Sequence, residues 1–213
     1  MKILGKMSLS SRRWLDRQSN DPYVKKAHLE GYRSRAVYKL REIDDKFRLI
    51  KGARRIVDLG AAPGSWSQLL LQRSGGDARV IGVDLLRFPL LDGLWQITGD
   101  FEEESVQSEI IDRLEGKADL VVSDMAPSAV GHAPTDHLRI MRLAESALCF
   151  AQSVLADGGN FVAKIFQGGE EKKFLDSMKC DFQKVCFFKP KSSRSMSSEI
   201  YVVALDKRRT PCI

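Results

Sequence analysis

The segment GNFVAKIF, residues 159–166, reads as a buried strand with a lysine near its end. Phe161, Val162, Ala163, Ile165 and Phe166 are apolar on both alternating faces, as in a central parallel strand covered on two sides. An unpaired ammonium is costly to desolvate there, so Lys164 either snorkels from the strand end or has work to do. A second stretch, DLGAAPGSW, residues 58–66, closes an earlier strand with a glycine turn. Gly60 and Gly64 let the backbone turn sharply and approach a ligand. The spacing is not G-x-G-x-x-G, and Pro63 removes an N–H donor, so the loop is a poor pyrophosphate cradle. Carboxylates then follow three further strands. Asp84, 26 residues after Asp58, suits ribose hydroxyls; Asp100 suits an adenine amino group; Asp124 ends the fourth strand. Any one of them could be a turn or N-cap residue. As an ordered set beside the glycine loop they suit a ligand with a ribose, an adenine and a cationic centre but no phosphate, which describes S-adenosylmethionine.

The elements that must position these residues can be read around them. SRAVYKLREIDDKFRLI has apolar residues at Val37, Leu40, Ile43, Phe47 and Ile50, a helical spacing, with Ser34 as N-cap and Gly52 past the end. RRIVDLG is a strand, GSWSQLLLQRSGG a helix, ARVIGVDLL a strand, LWQITGD a shorter strand and EEESVQSEIIDRLEG an acidic amphipathic helix. ADLVVSDMAP is a strand that stops at Pro127. A long helix, TDHLRIMRLAESALCFAQSVLADGG, leads into NFVAKIF, followed by a short helix around EEKKFLDSMKC and two strands, KVCFFKPK and EIYVVALDK. This alternation implies a doubly wound α/β sheet with right-handed crossovers. The last two strands are joined by SSRSMSS, too short for a crossover, so the final strand should run antiparallel to its predecessor.

With 213 residues and 43% apolar content, the chain fits one domain with a real core, or one domain plus a tail. No apolar run reaches the length of about 18 residues expected of a membrane span. The first residues lack the apolar core and cleavage site of a signal peptide. Cys149, Cys180, Cys186 and Cys212 show no C-x-x-C pairing and no metal-ligand spacing, and read as reduced thiols. Charge is unevenly spread. Residues 1–55 carry a net +10, residues 56–171 a net −10 and residues 172–213 a net +6, against +6 for the whole chain. Two basic ends around an acidic middle suggest a polyanion, nucleic acid first, although a solvated charged surface gives the same pattern. Residues 1–32 are polar, basic and weakly periodic, and read as a mobile or loosely packed arm.

RSRAVYKL, VDLGAAPGSWSQ, GVDLL, GDF, SDMAP, VAKIFQG and SSRSMSSEIYVVA occur in order from about residue 33 to about residue 204. This series resembles the FtsJ/RrmJ family of ribosomal RNA large-subunit 2′-O-methyltransferases. The resemblance implies a Rossmann-like S-adenosylmethionine-dependent methyltransferase fold. It would contain a seven-stranded, mostly parallel sheet of order 3-2-1-4-5-7-6, with strand 7 antiparallel and helices on both faces. Residues 33–209 would form this domain and residues 1–32 a basic arm. It implies a catalytic set of Lys39, Asp124, Lys164 and Glu199. Gly64 and Trp66 would line the methionine end of the cofactor, Asp84 would hold the ribose, Asp100 the adenine, and Asp124 the region of the amino group and sulfonium. The bacterial members act on a uridine ribose in the A-loop of 23S rRNA. The implied partner is therefore 23S rRNA within the large ribosomal subunit or its precursor. A cytoplasmic monomer, with no membrane association and no metal, is expected. Position 65 is Ser where many relatives have a second Gly; Ser can N-cap the helix that follows.

A topological argument supports the catalytic set. Asp124 ends the fourth strand, Lys164 lies near the end of the fifth and Glu199 begins the seventh. If the seventh runs antiparallel beside the fifth, all three meet at one edge, and Lys39 arrives from the N-terminal helix. The reaction is an in-line attack of a ribose 2′-oxygen on the methyl carbon of a sulfonium. The hydroxyl is barely ionised at neutral pH, so a general base helps. Lys164 is expected as that base, acting as the free amine, a form favoured by partial burial and the neighbouring Lys39 cation and opposed by Asp124 and Glu199. Lys39 and Glu199 would position the ribose, and Asp124 would bridge cofactor and base, with proximity contributing as much as the base.

Arg33, Arg35, Lys39 and Arg41 at one end and Lys189, Lys191 and Arg194 at the other are candidates for RNA phosphates, with Arg33, Arg35 and Arg194 foremost. His132 and His137 have no third metal ligand at useful spacing and read as loop residues. Trp14 and Tyr23 could stack on bases. An amino-group methyltransferase would carry an N-P-P-Tyr-like motif where this chain has SDMAP, and a dehydrogenase would want a glycine loop without Pro63. A non-catalytic RNA-binding assembly module, or a 2′-O-methyltransferase of another RNA such as tRNA, are the alternatives.

Overall fold

The structure, a computed structural model, describes residues 21–127, 131–169, 171–194 and 196–209. Seven strands form one sheet: β1 (Arg55–Leu59), β2 (Arg79–Asp84), β3 (Leu94–Thr98), β4 (Ala118–Ser123), β5 (Leu155–Phe166), β6 (Phe182–Phe188) and β7 (Glu199–Lys207). Their order is β3-β2-β1-β4-β5-β7-β6. The pairs from β3 to β5 are parallel, and β7 is antiparallel to both β5 and β6, as the short SSRSMSS connection requires. Six helices accompany the sheet among the described residues: α1 (Pro22–Leu29), α2 (Val37–Phe47), α3 (Ser65–Ser74), α4 (Glu104–Leu114), α5 (Ala133–Val154) and α6 (Glu171–Met178). None of them is long and apolar enough to cross a membrane.

Each face of the sheet carries its own core, so the central strands are apolar on both sides. On one face Val57, Ile81, Val121, Phe161, Ile165 and Val202 pack with α4–α6 through residues such as Ile110, Ala147, Phe150 and Phe174. On the other face Ile56, Val80, Leu120, Val162, Tyr201 and Val203 pack with α1–α3 through Ala27, Leu40, Ile43, Trp66 and Leu69. Lys164 and Tyr201 are register partners across β5 and β7 and therefore share that second face. The helix that carries Lys39 lies over it.

Three local expectations are corrected. Within the segment read as a loosely packed arm, Pro22–Leu29 is helical. Asp21 caps it by accepting from Tyr23 N (3.0 Å), and Pro22 sits where a missing N–H is harmless. The helix buries only Ala27, so it leaves almost no periodic signal. Ser34 is not the N-cap of α2. That position is Ala36, while Ser34 Oγ accepts from Ala36 N (3.3 Å) and pairs with Ser65 Oγ (2.7 Å). The helix stops at Arg48, which is left-handed (φ 55°), four residues before Gly52. Finally, β5 begins at Leu155, so LADGG continues as strand through an irregularity opposite Ala118 and Leu120 rather than ending the long helix.

Candidate active site

Lys39, Asp124, Lys164 and Glu199 meet at the carboxyl edge of the parallel strands. Glu199 pairs in register with Phe166 and Tyr201 with Lys164, while Asp124 directly follows Ser123, the partner of Ala163. The four side chains form two linked pairs. Lys164 Nζ lies 3.0 Å from Asp124 Oδ1 and 2.6 Å from the Asp124 carbonyl oxygen. Lys39 Nζ lies 2.7 Å from Glu199 Oε1 and 2.9 Å from Oε2. Lys164 is only 8% exposed, so its desolvation is offset by Asp124 rather than by snorkelling into water.

Tyr201 joins the two pairs, and sequence reasoning passed over it as an ordinary strand residue. Its hydroxyl donates to Asp124 Oδ1 (2.8 Å) and reaches Glu199 Oε1 at 3.5 Å. Its ring lies 5.8 Å from that of Trp66, whose Nε1 donates to Ala36 O (2.8 Å) at the start of the helix bearing Lys39. The signal was its position two residues from Glu199, on the same face of β7. Burial pushes the Asp124 carboxyl upward, but the Lys164 and Lys39 charges and the Tyr201 hydrogen bond hold it below its ordinary value. Burial, reinforced by the Asp124 and Glu199 charges, pushes the Tyr201 phenol well up, so it remains a donor. Ser193 Oγ donates to Glu199 Oε1 (3.0 Å), which ties the β6–β7 loop to the same cluster.

Beside this cluster a cavity of about 370 Å³ opens at the ends of β1–β4, within the usual range for a small-molecule site. Asp84 and Asp100 line it with Gly60, Leu85, Phe101, Met125 and Pro127. Arg139 and Arg142 of α5 and Glu102 form its outer wall, which the sequence did not suggest. The glycine loop turns its amides inward. Gly60 N and Ala61 N donate to Val83 O (2.9 and 3.0 Å), Ala62 N to Asp84 Oδ2 (2.9 Å) and Gly64 N to Ala61 O (2.6 Å). Pro63 has no N–H. A phosphate would find no cradle here, whereas the carboxylates keep lone pairs for hydroxyl or amino donors. Gly60 is at φ 79°, and a Cβ there would lie 2.8 Å from Met125 N, so only glycine lets the strand end close on its neighbour. Asp84 is oriented by Ala62 N and Leu86 N (2.8 Å), and Asp100 by Glu102 N (2.9 Å). The expected Gly64 and Trp66 do not line this cavity: Gly64 lies under the Arg33 guanidinium and Trp66 is 3% exposed in the core. Beneath the loop, Asp58 is fully buried and accepts from Ser67 Oγ (2.6 Å), while its Oδ1 has no partner. Burial, opposed by the Ser67 bond and aided by the Asp124 and Asp84 charges, raises its carboxyl to about 7.

The basic candidates surround the cluster unequally. Arg35 pairs with Asp21 and donates to Ser192 O, and Arg194, 45% exposed, lies 3.8 Å from the same Asp21. Arg41 pairs with Glu30 (2.9 Å), and Lys189 Nζ donates to Ser197 O (2.8 Å). Glu42 accepts from the Lys191 and Ser192 amides and so docks the β6–β7 loop on α2. Arg33 faces carbonyls of the glycine loop and of the segment after β2. Tyr23 packs on Tyr38, centroids 5.4 Å apart, and Trp14 lies outside the described residues. His132 Nδ1 pairs with Thr135 Oγ1 (2.8 Å), and the His137 ring packs against Gly168. Cys149, Cys180 and Cys186 are free thiols, and Cys212 lies outside the described residues. No group of three His, Cys, Asp or Glu among the described residues is placed to hold a metal.

Comparison with known proteins shows the family and the fold. A family model described as FtsJ-like methyltransferase matches residues 32–207. A protein of Granulibacter bethesdensis named ribosomal RNA large subunit methyltransferase E is 53% identical over 204 residues, covering 96% of this chain and 88% of the relative. A protein of the same name from Rickettsia akari is 49% identical over 213 residues, covering 98% and 94%. A crystal structure titled as a putative ribosomal RNA methyltransferase from Plasmodium falciparum superposes with a TM-score of 0.76 at 30% identity, covering 84% of this chain and all of that one. A putative hemolysin of Streptococcus thermophilus, at 19% identity and a TM-score of 0.58, shares the fold alone. The chain belongs to the FtsJ-like methyltransferase family.

Proposed function

We propose that this chain transfers a methyl group from S-adenosylmethionine to the 2′-oxygen of a ribose in large-subunit ribosomal RNA, at a uridine of the 23S A-loop. The observation that carries this reading is the Lys164–Asp124 pair, linked through Tyr201 to Glu199 and Lys39, beside a carboxylate-lined cavity whose loop amides are already satisfied. The names and identities of the relatives point to the same RNA. The cavity residues fit the cofactor: Asp84 would take the ribose hydroxyls, Asp100 the adenine amino group, and the Gly60–Met125 wall would border the methionine end. Bound there, S-adenosylmethionine supplies a methyl group activated on a sulfonium.

The chain's own residues then do three things. Lys39 and Glu199 hold the ribose at the edge of the sheet, with Ser193 fixing Glu199. Lys164 takes the 2′-hydroxyl proton onto Nζ as the new C–O bond forms. In its ion pair with Asp124 the Lys164 Nζ is an ammonium, so for that step it must first give up one proton, which leaves two N–H bonds and one lone pair. Asp124 accepts at Oδ1 and at its carbonyl oxygen, the two partners a neutral amine needs, which leaves the lone pair for the hydroxyl. After transfer the ammonium lies against the Asp124 carboxylate. Burial of the pair keeps water from competing for the proton, and binding both substrates removes much of the entropic barrier. Arg35 and Arg194, beside the Ser192–Ser193 turn, would hold flanking phosphates.

The test is transfer of tritiated methyl from S-adenosylmethionine to large ribosomal particles, and separately to tRNA, from a strain lacking its own enzyme. Label on one uridine 2′-oxygen of the A-loop is expected. Label on a base, on tRNA alone, or no transfer overturns the reading.

A further inference from the structure

Arg33 stands between α1 and α2, and its charge suggested an RNA contact. Its geometry points inward. Arg33 N donates to Gln68 Oε1 (2.9 Å) and Gln68 Nε2 to Gly31 O (3.1 Å), which anchors the residue on the helix after the glycine loop. Arg33 Nη1 donates to Pro63 O (3.1 Å) within that loop and to Pro89 O (2.7 Å), and Nη2 donates to Leu90 O (2.7 Å). The guanidinium also lies over the Phe88 ring, 6.0 Å from its centroid. Gly64 makes room for this, since a Cβ there would lie 2.6 Å from Arg33 Nη1.

The segment spanned in this way, residues 85–92, has little else to hold it. Leu85, Leu86 and Leu90 are 66%, 68% and 86% exposed, and only Phe88 is buried. Gln96 Nε2 holds the Phe88 carbonyl (3.0 Å) and Asp84 the Leu86 amide. Asp84 and Leu85, where the segment begins, line the cavity. The Asp84 carboxylate accepts from one amide of the glycine loop and one of this segment, so its direction depends on how the two are juxtaposed.

We propose that Arg33 is a positioning residue for the cofactor site, joining the glycine loop to residues 85–92 and so aiming Asp84, and that it is not a phosphate contact. This rests on the S-adenosylmethionine reading above. Without the guanidinium, binding has to order the 85–92 segment as well as seat the ligand.

Three measurements on the wild type, Arg33→Ala and Arg33→Lys test it: calorimetric titration with S-adenosylmethionine alone, amide exchange of the cofactor-free protein, and salt dependence of binding to a transcribed large-subunit rRNA fragment. Arg33→Ala should bind the cofactor about tenfold more weakly. Residues 85–92 should exchange faster while β1, β4 and β5 do not, and Arg33→Lys should recover part of both effects. The logarithmic salt slope of RNA binding should equal that of the wild type. Unchanged cofactor affinity, a slope smaller by about one, or faster exchange throughout the sheet each overturns the proposal. If the wild type itself fails to bind S-adenosylmethionine, the proposed function falls, and the exchange comparison still judges whether Arg33 holds the segment.

Discussion

Asp58→Asn isolates a buried carboxylate that the fold holds under strain. Asp58 is fully buried beneath the glycine loop, with one oxygen bonded to Ser67 and the other without a partner. Burial foremost, with Asp124 and Asp84 adding and Ser67 opposing, raises its carboxyl to about 7. In the unfolded chain it would titrate near about 4. Between these values the folded protein retains a proton that the unfolded chain releases, so the folded state binds more protons. Stability from this group is then fully present below pH 4 and is lost as pH rises toward 7. A shift of about three units corresponds to about 4 kcal/mol, of which about 3 kcal/mol falls between pH 5 and pH 8. Asn cannot titrate, keeps the shape and can still accept from Ser67. Urea unfolding of the cofactor-free wild type and variant at pH 5 and pH 8 reads the difference. The variant should gain about 3 kcal/mol relative to the wild type between the two pH values. Two pH profiles that run parallel would refute the reasoning, because Asp58 would then titrate alike in both states.

Other consequences follow from the same contacts. Tyr201→Phe keeps the ring against Trp66 but removes the donor to Asp124, a bond to a charged group in the core; urea melts should show a loss of about 1.5–3 kcal/mol, and single-turnover methyl transfer should slow more than S-adenosylmethionine binding weakens. Gly60→Ala sets a Cβ 2.8 Å from Met125 N at φ 79°; it should destabilise by about 1–2 kcal/mol or more from backbone strain alone, and calorimetry should show weakened cofactor binding. Arg194→Ala removes an exposed cation beside the catalytic loop; the logarithmic salt slope of RNA binding should shrink by about one with cofactor affinity unchanged.

The alternation of strands and helices could be read because most strand ends lie close to Gly, Asp or Pro, and the antiparallel last strand because SSRSMSS is too short to cross the sheet, whereas the order of the strands is what the family resemblance implies. That topology alone brings Asp124, Lys164 and Glu199 to one edge, as the β4–β5–β7 register shows. What stayed hidden depends on side-chain direction or on partners distant in sequence. Tyr201 looks like any aromatic strand residue until its hydroxyl is seen between Asp124 and Glu199. The resemblance implies Trp66 at the methionine end of the cofactor, while its ring lies beside Tyr201 and its Nε1 donates to Ala36 O. Arg33 looked like a surface cation, yet its acceptors lie 30, 56 and 57 residues away, and no local pattern encodes them. The helix over Pro22–Leu29 is held by the Asp21 cap, by the Tyr23–Tyr38 contact and by the ion pairs Arg35–Asp21 and Arg41–Glu30 at its two ends, rather than by an apolar stripe.

The most direct measurement is the single-turnover rate of methyl transfer to large-subunit particles by Lys164→Met, alongside its dissociation constant for S-adenosylmethionine. If Lys164 accepts the ribose proton, the rate should fall by about 10²-fold or more, while cofactor affinity stays within about threefold, less than the change expected from 1 kcal/mol. Wild-type transfer by a folded Lys164→Met protein would contradict the account at its centre.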